Sequence, residues 1–371
     1  MVNMPKEKNP NIKKRILIIC FILFNAAIIF WTAFSEFADG ENAAKFSDIN
    51  LNGWLLLPAL LIFIVAISAE IFKYTIMLKK CCGISDPRLA ARTFLLGRYY
   101  DNITPAAVGG QPIQFMYMKK NGVKHGYSTI IPVTSMLSTQ VGFLIVAIPA
   151  FVFLGYKISI AVLGSGYLGL FFYAFFPICI ILALFFRNQV SKLIAWGVKL
   201  LAKIHIVKNK EETFSKIETT LDRYVKCIKT IAKNKKLLIS VIALSVVFQI
   251  CNNMLPFFVL KAFGGEIDFF TCFVTTMAIS SAIYFVPTPG NAGAAEGSFF
   301  FVFSGLTSGY VFWAMLFWRF FSYYSYILMG VIIYALMAYE KRTGHYLADD
   351  LKQKLPTGKK HKHASHQNSR N

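Results

Sequence analysis

The sequence predicts an all-α polytopic membrane protein. It is built as an inverted-topology repeat of two halves, each with three transmembrane helices and one re-entrant helical hairpin, and both termini are cytoplasmic. Three observations lead there. First, 56% of the 371 residues are hydrophobic and 16% aromatic, yet the formal net charge is +21, so apolar and basic residues must occupy different places. Second, they alternate: apolar runs long enough to cross a bilayer core of about 30 Å are separated by short basic stretches. Third, a Thr-Pro break inside an apolar stretch occurs twice, at Thr104-Pro105 and at Thr288-Pro289, 184 residues apart. The first two exclude a soluble enzyme, a disordered chain and a nucleic-acid module.

The elements follow in order. Residues 1–14 form a basic N-terminus, and 15–35 the first span. That run is longer than a signal-peptide core and lacks a small-residue cleavage site, so it reads as a retained helix. The connection 36–48 holds Glu36, Asp39, Glu41 and Asp48 against Lys45 alone. Further spans are expected at 52–79, 127–155, 158–186, 236–263 and 311–338. An apolar stretch 267–308 is broken by Pro287-Thr288-Pro289-Gly290.

Charge sets the topology, because Lys and Arg concentrate in cytoplasmic loops. The segments up to Arg15, 79–98, 119–124, 187–236 and 341 onward carry 34 of the 39 Lys and Arg residues. The acidic connection 36–48 is therefore external. Segments 79–98 and 119–124 are both basic, so the stretch near 99–118 enters and leaves on the same side. The stretch near 267–308 dips from the opposite side by the same count. The first repeat spans 15–155 and the second 158–340. The second carries a cytoplasmic insertion 187–235, and a basic tail occupies 341–371. Within the insertion, 191–206 is amphipathic, with Lys192, Lys199 and Lys203, and is expected on the inner leaflet surface.

The repeat is legible in the tips. Thr104-Pro105-Ala106-Ala107-Val108-Gly109 matches Thr288-Pro289-Gly290-Asn291-Ala292-Gly293, and spans 52–79 and 127–155 shifted by 184 fall on 236–263 and 311–339. Inverted repeats place substrate near the bilayer midplane, where interrupted helices meet. New helices start at Gly109-Gly110-Gln111-Pro112 and at Gly293-Ala294-Ala295-Glu296. Their free N–H groups and partial positive charge suit a phosphate or carboxylate.

Ionisable residues inside the hydrocarbon are costly and mark functional paths. Glu70, Arg98, Asp101, Glu296 and Arg319 are the candidates. Lys73, near a cytoplasmic end, is expected to snorkel, and Glu70 one turn away is within pairing distance. Arg98 and Asp101, three residues apart, are placed to pair with each other at the hairpin mouth, or Arg98 is placed to receive a lipid phosphate. Arg319 has no acidic neighbour in its own span, so its partner is Glu296 or a bound phosphate, which a guanidinium meets in bidentate fashion. The polar and glycine positions of the tips, Asn102, Thr104, Gly109, Gly110, Gln111, Thr288, Gly290 and Gly293, complete the candidate substrate site. Seven cysteines without ligand spacing indicate neither a disulfide framework nor a metal site. No nucleophile–base pair and no nucleotide motif stands out, so neither a catalytic residue nor a cofactor is expected.

The residues Tyr99-Tyr100-Asp101-Asn102-Ile103-Thr104-Pro105, Gly109-Gly110-Gln111-Pro112, Pro287-Thr288-Pro289-Gly290…Gly293…Glu296 and Arg319…Tyr323-Tyr324 together resemble the flippase-like transmembrane region of the lysylphosphatidylglycerol synthase (multiple peptide resistance factor) family, across about residues 15–340. The second tip departs from the pattern of many relatives by carrying Asn291 and Ala292. The resemblance implies a flippase in the cytoplasmic membrane that moves aminoacyl-phosphatidylglycerol, or a related anionic phospholipid, between leaflets. Its partners would be membrane phospholipids and a separate lipid synthase, without direct nucleic-acid binding. Only about thirty residues follow the last span, so a stand-alone form lacking the soluble synthase domain is expected. Phosphatidylglycerol lysyl transfer, and transport of another phosphate-bearing lipid carrier or anion, are the alternatives.

Overall fold

The computed structural model describes residues 51–203, 209–284, 286–304, 310–343 and 347. The expected span 15–35, the acidic connection 36–48 and almost all of the basic tail lie outside the described residues.

Helix α1 (Leu56–Cys82) is largely apolar apart from Glu70 and Lys73, and ends with Lys79 and Lys80 in its last turn, where cations suit the negative end of the helix dipole. Gly83 closes it with a left-handed φ of 72°. Helix α2 (Pro87–Ile103) begins on Asp86, whose carboxylate accepts the backbone N–H groups of Arg88 and Leu89 at 2.8 and 3.3 Å. Proline at the first helical position completes this start signal. The helix stops where Pro105 forces Thr104 into extended backbone, with φ −111° and ψ 142°. A 3₁₀ turn, Pro105–Ala107, leads into α3 (Gly110–Lys120), which runs back along α2.

The first hairpin is therefore longer than expected. The stretch 99–118 covers only its tip and returning arm. Segment 79–98 is no loop, because the Asp86 cap starts a helix that carries Arg88, Arg92 and Arg98 into the fold.

Helix α4 (His125–Leu154), a turn at Gly155–Lys157 and α5 (Ile160–Phe185) form an antiparallel pair. The insertion folds as two helices, α6 (Arg187–Lys203) and α7 (Lys210–Ala232). Arg187 ties them by reaching Asp222 at 2.8 Å and Glu218 at 3.3 Å. Helix α8 (Lys235–Ala262) starts on Asn234, and α9 (Phe269–Ile283) on Asp268. The second break holds a 3₁₀ turn at Pro289–Asn291, followed by α10 (Ala294–Phe303). The last span is α11 (Val311–Arg319), a π turn at Phe320–Tyr324 and α12 (Ser325–Thr343).

Helices α1 and α8 pack along much of their length at the centre, with α4 against α8 and α5 against α9. Small residues permit these approaches. A Cβ on Gly142 of α4 would lie 2.9 Å from the Ser245 carbonyl carbon, and one on Gly169 of α5 only 2.4 Å from that of Ser281. Leu61, Phe153, Phe171 and Phe301 project from the outer surface. Among the described residues, five helices are long and apolar enough to cross a membrane, and Phe269–Ile283 is a shorter apolar helix.

Candidate functional site

The two hairpin tips pack against each other, with Pro105, Ala107 and Val108 of the first exposed at the surface of the chain. At the first, the Thr104 hydroxyl donates to the Tyr100 carbonyl at 2.7 Å and accepts the Gly109 N–H at 3.0 Å. Asp101 accepts the Gly110 N–H at 3.0 Å. At the second, Thr288 donates to the Ala292 carbonyl at 2.8 Å, and Glu296 accepts the Gly293 N–H at 2.7 Å. A carboxylate thus takes one backbone N–H at each helix start, Asp101 that of Gly110 and Glu296 that of Gly293. An acidic side chain therefore sits beside each helix start, Asp101 at the first and Glu296 at the second.

Glu296 is also the partner of Arg319. Its second oxygen accepts the Arg319 Nε–H at 2.6 Å, and both side chains are buried. The same guanidinium donates to the Gly290 carbonyl at 3.3 Å and lies 4.9 Å from the Tyr323 ring centre. Tyr323 then joins the tips. Its carbonyl accepts the Asn102 side-chain amide at 3.3 Å, its hydroxyl donates to the Asn102 carbonyl at 3.5 Å, and its ring fills the space a Cβ on Gly290 would need. The π turn just after Arg319 is what turns Tyr323 toward Asn102, an insertion often found at functional positions. Gln111, at the start of α3, contacts Met136 of α4.

Arg98 stands apart from this pairing. It does not bridge to Asp101; its guanidinium lies 4.9 Å from the Tyr326 ring centre, and its Nε is buried with no acceptor among the described residues. A buried N–H without an acceptor is uncommon and calls for a partner. Nearby, Tyr100 and Tyr334 share a hydroxyl–hydroxyl hydrogen bond of 2.6 Å.

Glu70 belongs to a second polar cluster. It accepts from Lys73 at 2.6 Å, and the Lys73 ammonium also donates to Thr139 Oγ1 at 2.8 Å and Ser245 Oγ at 3.0 Å. Lys73 is 0% exposed. The snorkelling expected of it is therefore corrected: α4 and α8 close over this face of α1 and supply the Thr139 and Ser245 hydroxyls and the Ser135 carbonyl as acceptors. Sequence reasoning also missed Ser245, Gln249 and Asn253, which follow one another at four-residue intervals on α8 and are all buried. That spacing inside an apolar span was the available signal, since it aligns polar groups on one helical face.

These features define a multi-pass helical membrane protein with two broken helical hairpins whose tips meet. The lysylphosphatidylglycerol synthase TM region family model matches residues 15–330, and the chain belongs to that family. It is similar to a UPF0104 membrane protein of Archaeoglobus fulgidus, 26% identical over 243 residues, which cover 62% of this chain and 70% of the relative. No solved structure matches the chain.

Proposed function

We propose that this protein is a lipid flippase of the cell membrane. It moves phosphatidylglycerol, its aminoacyl form or a related anionic phospholipid between leaflets. One observation carries the reading: Arg98, on the entering helix of the first hairpin, keeps a buried guanidinium N–H without an acceptor beside two packed, interrupted tips. A lipid phosphate supplies the missing acceptor, and a guanidinium meets phosphate with two parallel hydrogen bonds. The Arg319–Glu296 pair sets the second tip, and Asp101 offers a carboxylate to a cationic headgroup.

The inverted repeat is part of this proposal. Shifting by 184 residues aligns Gly110, the start of α3, with Ala294, the start of α10, and Thr104 with Thr288 at the tips. With cytoplasmic termini, as the basic segments favour, the hairpins enter from opposite faces and meet near the midplane. The α6–α7 pair then lies on the inner leaflet, where exposed Leu193, Trp196 and Leu200 enter the headgroup layer beside Lys192 and Lys199.

The test is leaflet exchange of fluorescent phosphatidylglycerol in vesicles containing the purified protein. Exchange above that of empty vesicles is expected, falling at least about tenfold in Arg98→Ala, the equivalent of one lost charge-assisted contact. Exchange no faster than in empty vesicles overturns the proposal.

A further inference from the structure

Gln140 of α4 is only 5% exposed, yet one end of its amide is left over. Its Nε2 donates to the Tyr284 hydroxyl at 2.8 Å, while Oε1 is buried with no donor among the described residues. Turning the amide over exchanges the two ends: it then accepts from Tyr284 and leaves its NH₂ group unmatched. Either way a buried polar atom goes unsatisfied, which is costly and uncommon in native interiors.

Its place in the fold touches both breaks. One turn earlier on α4, Met136 contacts Gln111 at the start of α3. Tyr284 closes the C-terminal end of α9, four residues before Thr288 of the second tip, and is exposed. A headgroup arriving at the tips meets the Tyr284 ring first and Gln140 behind it. On the other side, α8 lays two more carboxamides against the same helices. Gln249 donates to the Thr139 carbonyl of α4 at 3.1 Å, and Asn253 accepts from the Ser280 hydroxyl of α9 at 3.0 Å. All these contacts join amides, hydroxyls and carbonyls, and no charged side chain takes part in them.

We infer that Gln140 determines headgroup specificity by recognising a hydroxyl on the lipid alcohol, as a glycerol headgroup provides. This rests on the flippase reading and extends it from the phosphate to the group attached to it. A hydroxyl both donates and accepts, so it satisfies whichever end of the amide is unmatched. A headgroup ammonium would donate as well. It would also bring a charge to contacts that hold no carboxylate, and burying an unpaired charge is far more costly than burying a hydrogen-bonded hydroxyl.

The experiment compares two lipids of equal charge in vesicles containing the full chain: fluorescent phosphatidylglycerol and fluorescent phosphatidylmethanol, whose phosphate carries a methyl group in place of glycerol. Phosphatidylglycerol should exchange between leaflets about tenfold faster, the equivalent of one buried hydrogen bond left unmade by its competitor. Gln140→Met keeps the length of the side chain and removes its polar end, so the ratio of the two rates should fall toward one. A merely structural role would slow both lipids alike and keep the ratio. Tyr284→Phe removes the hydroxyl that orients the amide; it should also lower the ratio, and it replaces Gln140→Met if that variant does not fold. A ratio of one in the unaltered protein overturns the inference, and so does a ratio that Gln140→Met leaves unchanged. Failure of the flippase reading looks different: neither lipid exchanges faster than in empty vesicles, yet short-chain phosphatidylglycerol still raises Tm more than short-chain phosphatidylmethanol, and Gln140→Met removes that difference.

Discussion

Ala107 and Asn291, 184 residues apart, both hold left-handed backbone, at φ 51° and 55°, two residues after the proline of their respective tips. Two segments of different local sequence thus share this left-handed position, although the turns around it differ: Gly293 holds φ 87° where Gly109 holds −79°. Asparagine tolerates this region, but a Cβ-bearing alanine does not do so readily, at a cost of roughly 1–2 kcal/mol.

Ala107→Gly should therefore stabilise the protein. Relief of the strain exceeds the extra chain entropy of glycine, leaving a net gain of about 0.5–1 kcal/mol. Thermal unfolding in detergent should show a rise in Tm. Gly290→Ala should do the reverse, because a Cβ there would lie 2.1 Å from Tyr323 Cε2 and φ is already 59°.

Arg319 and Glu296 form an ion pair buried on both sides. Removing either partner alone strands a charge, which costs about 3–5 kcal/mol in such pairs. Glu296→Ala should be the more damaging, since it also uncaps the Gly293 N–H. The neutral double variant Glu296→Gln/Arg319→Met should lose less than the sum of the single changes. Denaturation midpoints of the four proteins, compared as a double-mutant cycle, measure the coupling.

Much of this was legible from residue order. Helices that cross the core announce themselves by length and hydropathy, and the Thr-Pro tips by what proline forbids. The start of α2 was missed because arginines at 88, 92 and 98 look like loop charge, whereas Asp86-Pro87 is a helix start that outweighs them. Lys73 was misread because the distance of a residue from a helix end does not reveal whether neighbouring helices cover it. The roles of Arg98 and Arg319 separate only in three dimensions: the carboxylate nearest Arg98 in sequence turns to a backbone amide, and the one that meets Arg319 lies 23 residues away.

Asp268 makes a prediction about acid. It caps α9 by accepting the Phe270 and Thr271 N–H groups at 2.9 and 3.2 Å, and it lies 3.6 Å from Lys157. Its hydrogen bond from the Thr271 hydroxyl, the backbone caps and the Lys157 charge hold the carboxyl below the ordinary aspartate range. A folded-state value below the unfolded one of about 3.9 means the stabilisation is present above that pH and is lost as pH falls through the folded value. Asp268→Asn keeps a cap and should flatten this acid dependence, while Asp268→Ala should cost about 1 kcal/mol at neutral pH. Thermal unfolding at neutral pH and again below about pH 3.9 distinguishes the two.

Helix α5 offers the same substitution with opposite signs. A methyl group at Gly164 would meet nothing within 4 Å, whereas a Cβ on Gly169 would meet Ser281 at 2.4 Å in the backbone of α9. An alanine at Gly164 gains helix propensity, up to about 1 kcal/mol, and should raise Tm. At Gly169 the methyl group must push α5 away from α9, and overpacking of this kind costs about 1–3 kcal/mol. Because α9 leads directly into the second tip, that displacement should also slow leaflet exchange. Gly164→Ala and Gly169→Ala measured side by side, for Tm and for exchange, separate the two effects. Equal responses at both positions would mean that α5 does not bear on the hairpin at all.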